Sequence, residues 1–460
     1  MPVFRGTDAV DNLVGTEDAD GFHRLGRGAD WVDGGTGFDH VNYKDDGGAV
    51  GIIADFFSRG NGTVVDTFGT TDTFVSVEQI EGSDFDDQFT FSDGAEFNLM
   101  ASRGADRIVI RDHGFGSIDY TKFISEEAAE VIRDLKTTVI GVDVDFGSGR
   151  ITEYDGSVDM FTPVERLVFR GTSLSDVLRG SDDGIATGFS GNPGNDTIVA
   201  GDDLDYADFW HEGGEIGSGF TVDLRSGRAT NSANSDVDTL VDIRRVEGTA
   251  FNDTFIGTDA REQLRGAGGN DIINGGGGID TTTYWGSRFS EFDLSGVGTG
   301  IITVTHLNGG SEGVDTLTNI ERMLFDDGVL RVDVDGNAGQ AYRLYQAAFE
   351  RTPDNEGLKY WIGRMDEGNT TLVDIADSFL HSPEFVSTYG TEQTVSNSEF
   401  VELLYLHTLG RSSDGEGFSY WVDKLDGGET NRRDLVAFFS ESNENKAQVA
   451  GEISDGIWLY

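Results

Sequence analysis

Aspartates that recur every nine residues within glycine-rich turns are the first residues of this sequence that could do chemistry. The clearest run, from Gly26 to Val41, places Asp30 and Asp39 nine positions apart, each followed two residues later by an apolar side chain. Glycines at the first, second and fourth places of such a turn favour positive φ and bring main-chain carbonyls together, and the Asp adds a carboxylate. Ligand sets made only of oxygen suit a hard cation, so the pattern predicts Ca²⁺ sites rather than Zn²⁺ sites.

Four blocks with this spacing occur in residues 1–335. The carboxylates predicted to bind several calcium ions belong to Asp30, Asp39, Asp196, Asp205, Asp271 and Asp280. The glycines expected to supply main-chain oxygens are Gly26, Gly28, Gly34, Gly35, Gly37, Gly191, Gly194, Gly266, Gly269, Gly275, Gly276 and Gly278. A weaker set of predicted ligands, in turns with fewer glycines, comprises Asp11, Asp20, Asp87, Asp106, Asp176, Asp253 and Glu262. Ordinary turns and solvated acids would explain an isolated copy, whereas tandem copies at intervals of nine favour calcium.

These turns resemble the glycine-rich nonapeptide Gly-Gly-x-Gly-x-Asp-x-Φ-x of RTX (hemolysin-type calcium-binding) proteins, most closely at residues 24–42, 191–207 and 264–283. The resemblance implies calcium-binding parallel β-roll or β-helix units. Each block is followed by an aromatic segment, an alternating strand-like run and an acidic landmark, which is Glu78, Glu165, Glu247 or Glu321. We therefore expect a mainly β chain of tandem β-roll units with antiparallel β spacers. The expected β-roll units, called the first to fourth repeats below, are 1–80, 81–167, 168–246 and 247–335. A helical insertion is expected at 121–138 in the second repeat.

Residues 336–460 have a helical pattern and repeat themselves after sixty positions. The motif from Arg351 to Trp361 returns as Arg411 to Trp421. Both copies resemble the domain of unknown function 4214 family, which implies a bacterial secreted or S-layer protein. We expect a small all-α C-terminal domain built from two 60-residue repeats. Four aromatic residues of the motif are candidates for stacking on sugars, although core packing is the competing interpretation for the tryptophans: Tyr360, Trp361, Tyr420 and Trp421.

The composition restricts the partners and the compartment. The chain has 33 basic and 83 acidic residues, a formal net charge of -50, and no cysteine. So acidic a chain is not expected to bind nucleic acid or an anionic membrane, and it has no apolar run that predicts a membrane span. The N-terminus carries no secretory signal pattern, whereas Asp455 to Tyr460 resemble the uncleaved C-terminal signal of type I secretion substrates. We therefore expect an extracellular or cell-surface protein that is exported by the type I secretion apparatus.

No catalytic motif stands out in the sequence. It lacks the His-Glu-x-x-His of metalloproteases and the Gly-x-Ser-x-Gly of hydrolases. The leading hypothesis is a non-enzymatic, calcium-folded structural or surface protein, S-layer-like, a matrix component or an adhesin, that assembles with itself or binds cell-surface polysaccharide. Two alternatives remain open: a glycan- or partner-binding module on a β-roll stalk, and a polysaccharide-active extracellular enzyme.

Overall fold

Short strands separated by glycine-rich turns make up most of residues 1–335. The computed structural model describes residues 1–92, 96–100, 102–110, 115–119, 140–153, 157–161, 166–184, 186–391 and 393–460. These residues form two compact units, the first comprising 1–258 and 262–272 and the second 259–261 and 273–460. The helical insertion expected at 121–138 lies outside the described residues.

The strands are numbered in chain order. Those of the first unit are β1 (Val3–Arg5), β2 (Asn12–Val14), β3 (Gly21–His23), β4 (Trp31–Asp33), β5 (His40–Asn42), β6 (Ile53–Ser58), β7 (Asn61–Val65), β8 (Thr71–Val75), β9 (Gln79–Glu81), β10 (Gln88–Phe91), β11 (Glu96–Met100), β12 (Arg107–Ile110), β13 (Phe115–Asp119), β14 (Ile140–Asp145), β15 (Arg150–Thr152), β16 (Val158–Phe161), β17 (Arg166–Arg170), β18 (Ser175–Arg179), β19 (Ala186–Ser190), β20 (Thr197–Val199), β21 (Tyr206–Asp208), β22 (Phe220–Asp223), β23 (Arg228–Asn231), β24 (Val237–Val241), β25 (Arg245–Glu247), β26 (Thr254–Ile256) and β27 (Gln263–Arg265). Strand β28 (Ile272–Asn274) lies at the boundary, and the second unit contains β29 (Thr281–Tyr284), β30 (Phe292–Ser295), β31 (Ile302–His306), β32 (Val314–Thr318), β33 (Arg322–Phe325), β34 (Gly328–Arg331) and β35 (Ile457–Leu459).

Within the first unit, one sheet is parallel throughout. Its strands follow the order β1, β3, β5, β9, β11, β13, β17, β19, β21, β25 and β27, and each pairs in parallel with the next. Because consecutive members come from successive turns of the chain, the first three predicted repeats and the start of the fourth form one continuous sheet.

The second sheet of the first unit mixes parallel rungs with antiparallel spacers. Parallel pairs such as β2 with β4 and β18 with β20 come from the glycine-rich blocks. Between blocks, three consecutive strands form an antiparallel meander, as β6, β7 and β8 do in the first repeat. The outer strands of the meander pair in parallel with the neighbouring blocks, β8 with β4 and β6 with β10. The spacers therefore continue the sheet rather than interrupt it.

The core lies between the two sheets, and many of its residues are the apolar side chains two places after an acidic turn residue. These side chains are at most 2% exposed at Phe22, Val32, Val41, Phe89, Ile108, Leu178, Ile198, Phe255 and Leu264. Leu13, near the start of the stack, is only partly buried. Burial of one such side chain contributes about 1.5–3 kcal/mol, so the repeat of Asp-x-Φ is also a repeat of core contacts.

The helices are α1 (Trp210–Ile216) in the first unit, and α2 (Asn337–Phe349), α3 (Asn355–Asp366), α4 (Leu372–Leu380), α5 (Pro383–Tyr389), α6 (Asn397–Leu409), α7 (Gly415–Asp426), α8 (Arg432–Ser440) and α9 (Asn443–Val449) in the second. Each 60-residue copy thus contributes four helices, and their apolar faces share one buried cluster. The prediction of a mainly β chain with a C-terminal helical region is confirmed. No helix among the described residues is long and apolar enough to cross a membrane.

Within the second unit, the helices are joined to the strands of the fourth repeat. The C-terminal strand β35 pairs antiparallel with β34, which in turn pairs with β33. The Arg322 guanidinium forms 2.6 Å ion pairs with both Asp333 and Asp366, the last residue of α3. All three side chains are largely buried. Strand pairing and buried ion pairs therefore link helices and strands within this unit.

Candidate cation sites in the glycine-rich turns

The turn aspartates form hydrogen-bonded columns along the stack. The main-chain N–H of Asp20 donates to Oδ1 of Asp39, with an N–O distance of 2.8 Å. The N–H of Asp176 donates to Oδ1 of Asp196 at the same distance. Equivalent bonds run from Asp11 to Asp30, Asp87 to Asp106, and Asp253 to Asp271, with distances of 2.7, 2.8 and 2.8 Å. Residues 18 to 20 positions apart in sequence are therefore neighbours on one edge of the stack.

The columns contain acidic residues that the sequence reasoning did not assign to sites. Three of them lie in the last strand of a spacer, where Asp72, Asp159 and Asp238 accept from the N–H groups of Asp30, Asp106 and Asp196. Two of the acidic landmarks act in the same way, since Glu78 accepts from the N–H of Asp39 and Glu321 from that of Asp280. The signal was present in the sequence, because each spacer Asp is also followed two places later by an apolar residue.

In one class of turn, a hydroxyl residue four places before the Asp donates hydrogen bonds to the carboxylate, in most cases to Oδ2. Thr249 donates to Asp253 from both N and Oγ1, with distances of 2.7 and 3.0 Å to Oδ2. The same pair of donors comes from Thr7 to Asp11, Thr16 to Asp20, Ser83 to Asp87, and Thr172 to Asp176. Most of the weaker predicted set falls in this class, so its carboxylates have local hydrogen-bond donors.

In a second group of turns, Gly26, Gly35 or Asn192 takes the place of the hydroxyl residue, and one carboxylate oxygen has no local donor. Asp30, Asp39 and Asp196 are at most 2% exposed. Within the described part of the chain, Oδ2 of each of these residues is buried and accepts no hydrogen bond. Burying an anionic oxygen without a partner is costly. These three oxygens therefore mark the positions where a cation would be most stabilising.

The first glycine of a turn lies where carboxylate and carbonyl oxygens meet. A Cβ atom on Gly34 would overlap the main-chain O of Ser76 and lie only 2.6 Å from Oδ2 of Asp39. In the fourth repeat, a Cβ on Gly275 would overlap the O of Asn319 and lie 2.5 Å from Oδ2 of Asp280. The expectation of positive φ holds at the second and fourth places, as at Gly35 (95°) and Gly37 (135°). At the first place, as at Gly34 and Gly275, glycine is required because a carbonyl and a carboxylate oxygen occupy the space of a Cβ atom.

Electrostatics at these turns also favour a positive charge. Burial, opposed by a hydrogen bond from the N–H of Asp20 and assisted by the charge of Glu78, raises the pKa of Asp39 to about 6. Burial raises the pKa of Asp196 well above its usual value, and the charges of Asp176 and Asp238 act in the same direction. A bound cation lowers the pKa of neighbouring carboxyl groups, so it would reverse each of these effects.

Asp205 differs from the other residues of the stronger predicted set. Its Oδ2 accepts from Gly201 N at 2.8 Å, and its Oδ1 accepts from Thr187 N at 3.0 Å. Asp203 occupies the fourth place of this turn, where the pattern expects glycine, and it forms an ion pair with Arg244 at 3.3 Å. Both oxygens of the Asp205 carboxylate are thus satisfied by the protein.

Side-chain carboxylates alone do not enclose an ion here. Across the described ranges, no group of three or more His, Asp or Glu side chains is arranged to hold a metal. A cation at a glycine turn would therefore depend on main-chain carbonyls together with the turn Asp, as the sequence pattern predicts. The residues that fit this role best are Asp30, Asp39 and Asp196, and at Asp39 the main-chain O of Ser76 approaches the same first-place glycine, Gly34.

The repeated motif of the helical region is explained by caps and ion pairs. Asp354 and Asp414 cap α3 and α7 by accepting from the N–H of the glycine three residues later, at 2.8 and 2.7 Å. Arg351 binds Glu384 through two nitrogens, and Arg411 binds Glu444 in the same way. The recurring Arg, Asp, Gly and Glu thus hold each copy together.

Residues 376–449 match the family model of a domain of unknown function, DUF4214. The match starts within α4 and ends with α9, so it contains the second copy of the motif and the last helices of the first 60-residue copy. A comparison of the chain with curated proteins gave no match.

In the DUF4214 region and the copy before it, the candidate stacking residues separate into two kinds. Trp361 and Trp421 pack against the helical core, with ring centroids 5.9 and 6.0 Å from Phe379 and Phe439. Tyr360 and Tyr420 are 56% and 54% exposed. Core packing therefore accounts for the tryptophans. The tyrosine rings are largely exposed, and each lies beside a cation: Arg364 is 5.9 Å from the Tyr360 centroid, and Lys424 is 5.6 Å from that of Tyr420.

Proposed function

We propose that this chain is a secreted calcium-binding structural or cell-surface protein whose β repeats are stabilised by Ca²⁺ in the glycine turns. One observation carries the proposal: Oδ2 of Asp30, Asp39 and Asp196 is buried and accepts no hydrogen bond within the described ranges. The hydroxyl turns at Asp176 and Asp253 show that the fold can satisfy the equivalent oxygen with local donors. The glycine turns are therefore specialised for a cation.

Calcium fits these turns better than a transition metal. The available ligands are carboxylate and main-chain oxygens, which hard cations prefer, and the chain has no cysteine. When bound, Ca²⁺ would supply the positive charge that the buried carboxylates lack. Asp30, Asp39 and Asp196 would hold it, and the first-place glycines Gly34 and Gly191 would keep the approach to the carboxylates open.

The proposed role in secretion follows from the charge. A formal net charge of -50 makes the metal-free repeats self-repelling, which favours an extended chain during export through the type I apparatus. Extracellular calcium would then bind only the folded state, so binding energy becomes folding energy. The folded chain would act by assembling with itself or by binding cell-surface polysaccharide, and this role requires no catalytic residue.

The experiment is a calcium titration of the full chain from chelator to about 10 mM, a range that covers extracellular calcium modules. Far-ultraviolet circular dichroism reports β-structure and light scattering reports assembly. We expect a cooperative gain of β-structure in the wild type and a smaller calcium response in Asp39→Asn. Asp176→Asn is the matched control, because its turn has the Thr172 donors. A wild-type chain that is fully folded in chelator and does not bind calcium would refute the proposal.

A second candidate function is glycan binding by the helical region. It is favoured by the equal exposure of Tyr360 and Tyr420 at corresponding positions of the two copies. Aromatic faces of this kind stack on sugar rings. The test is binding of the full chain to immobilised polysaccharides: Tyr360→Ala with Tyr420→Ala should abolish binding, and Tyr460→Ala, another exposed tyrosine, should not.

A further inference from the structure

A carboxylate from the first spacer enters the Gly26–Asp30 turn. Oδ1 of Asp46 accepts from the N–H of Gly26, with an N–O distance of 3.1 Å. At the corresponding position of the first turn, the N–H of Thr7 donates to Oδ2 of that turn's own aspartate, Asp11. Asp46 therefore accepts from the N–H of Gly26, whereas the equivalent N–H of the first turn donates to that turn's own aspartate. Oδ2 of Asp30 lacks this donor.

The second oxygen of Asp46 is available at the same turn. Asp46 is 8% exposed and Asp30 is 2% exposed. Oδ2 of each is buried and accepts no hydrogen bond within the described part of the chain. Burial, with a smaller contribution from the charges of Asp66 and Asp30, raises the pKa of Asp46 to about 6. Two buried carboxylates thus share one turn, and each retains an oxygen that no donor satisfies.

The third repeat places an acid at the same position of its module. Asp46 lies three residues after the buried Tyr43, and Glu212 lies three residues after the buried Phe209. Glu212 is in α1 and is fully buried, and its charge raises the pKa of Asp196. In both repeats a buried acid therefore follows a turn aspartate by sixteen residues.

We infer that Asp46 is an additional carboxylate ligand that completes a cation site with Asp30, and that Glu212 has the same role beside Asp196. This inference rests on the proposed calcium function and extends it to residues outside the nonapeptide pattern. The affinity of a calcium site depends on the number of charged ligands. The turns of Asp30 and Asp196, each with a second carboxylate, should therefore bind Ca²⁺ more tightly than turns with a single carboxylate. They would be filled first as calcium rises.

The test is calorimetric titration of the metal-free full chain with CaCl₂, comparing the wild type with Asp46→Asn and Asp45→Asn. Asp45 is the matched control, because it is the adjacent residue, makes the same charge change and is exposed. Asn at position 46 retains an oxygen that can accept from Gly26 N. We expect Asp46→Asn to weaken the tightest class of sites by on the order of tenfold or to remove one tight ion, and Asp45→Asn to match the wild type.

The outcomes separate the two proposals. If the wild type binds no calcium, the proposed function fails and this inference fails with it. If the wild type binds and Asp46→Asn equals Asp45→Asn in both stoichiometry and affinity, only the role of Asp46 is refuted. Circular dichroism at saturating calcium checks that the variant is folded. Should Asp46→Asn not fold, Glu212→Gln decides the matter, since loss of a tight ion supports the inference and unchanged binding overturns it.

Discussion

The N–H of Asp20 donates a 2.8 Å hydrogen bond to Oδ1 of Asp39, while Oδ2 of Asp39 is buried and accepts no hydrogen bond in the described part of the chain. The two oxygens of the Asp39 carboxylate therefore have different roles. One of its oxygens fixes the register of successive rungs, and the other faces the turn, where carbonyl oxygens converge. A substitution can therefore remove the charge while leaving the rung contact in place.

Replacing Asp196 by Asn should reduce calcium-dependent stability, because Oδ2 of Asp196 is a proposed ligand. One ion with a Kd of 10⁻⁴ to 10⁻³ M contributes about 1.4–2.7 kcal/mol at about 10 mM calcium. Chemical unfolding with and without calcium should show a loss of that size in Asp196→Asn. Asp205→Asn is the control, since Asp205 accepts from Gly201 N and Thr187 N. An equal loss of stability in both variants would contradict the proposal that Asp196, and not Asp205, is a calcium ligand.

Replacing Gly34 by Ala should destabilise the first repeats. The new Cβ would overlap the O of Ser76 and crowd Oδ2 of Asp39, and overpacking of this kind costs about 1–3 kcal/mol. The control is Gly214→Ala, because Gly214 lies in α1 with open space around its Cβ position and alanine favours helix. Urea unfolding should show opposite signs for the two variants. A neutral Gly34→Ala would mean that oxygens do not converge at this glycine.

Removing the Trp458 side chain should destabilise the second unit. The indole stacks on Phe289 with ring centroids 4.7 Å apart, from a strand that completes the sheet with β34. Loss of this partly buried ring should cost about 2 kcal/mol in thermal or chemical unfolding. Tyr460→Ala should be nearly neutral, because Tyr460 is 75% exposed. Equal effects would argue against the stacking of β35 on the fourth repeat.

Stability should depend on the protonation of Asp208, which lies outside the turns. Burial, followed by the charge of Glu247, raises its pKa from 3.8 to about 6. The folded state therefore binds the proton more tightly than the unfolded state, and this contribution to stability falls as pH rises from about 4 to about 6. At pH 7 the ionised side chain should cost about 3 kcal/mol.

Asp208→Asn keeps an acceptor for the N–H of Trp210 and removes the charge. It should be more stable than the wild type at pH 7, and the difference should shrink to about half by pH 5. Urea unfolding at the two pH values measures this change. The exposed Asp293→Asn variant is expected to show no such trend. A stability difference independent of pH would contradict the shifted pKa.

Local sequence predicted much of the repeat architecture. The nine-residue interval, the buried residue two places after each Asp, and the glycines with positive φ all follow from short-range geometry. The roles of Asp72 and Glu78 were missed, because they join the columns only after a spacer of some forty residues folds back onto the sheet. Their sequence signals were recognised only as landmarks of repetition.

The sequence by itself determined where the turns lie, which residues enter the core, and that helices replace strands after residue 336, because these depend on neighbours within one or two turns of chain. Only the tertiary structure decided which carboxylates need a cation. Asp39 and Asp205 have the same position in the motif, yet one retains an unsatisfied buried oxygen and the other accepts two hydrogen bonds. The N–H of Gly201 donates to Oδ2 of Asp205, whereas the corresponding N–H of Gly35 donates to Asp33 and leaves Asp39 without it. Such choices among donors, like the approach of Asp46 to Gly26 from twenty residues away, are made only when the chain is folded.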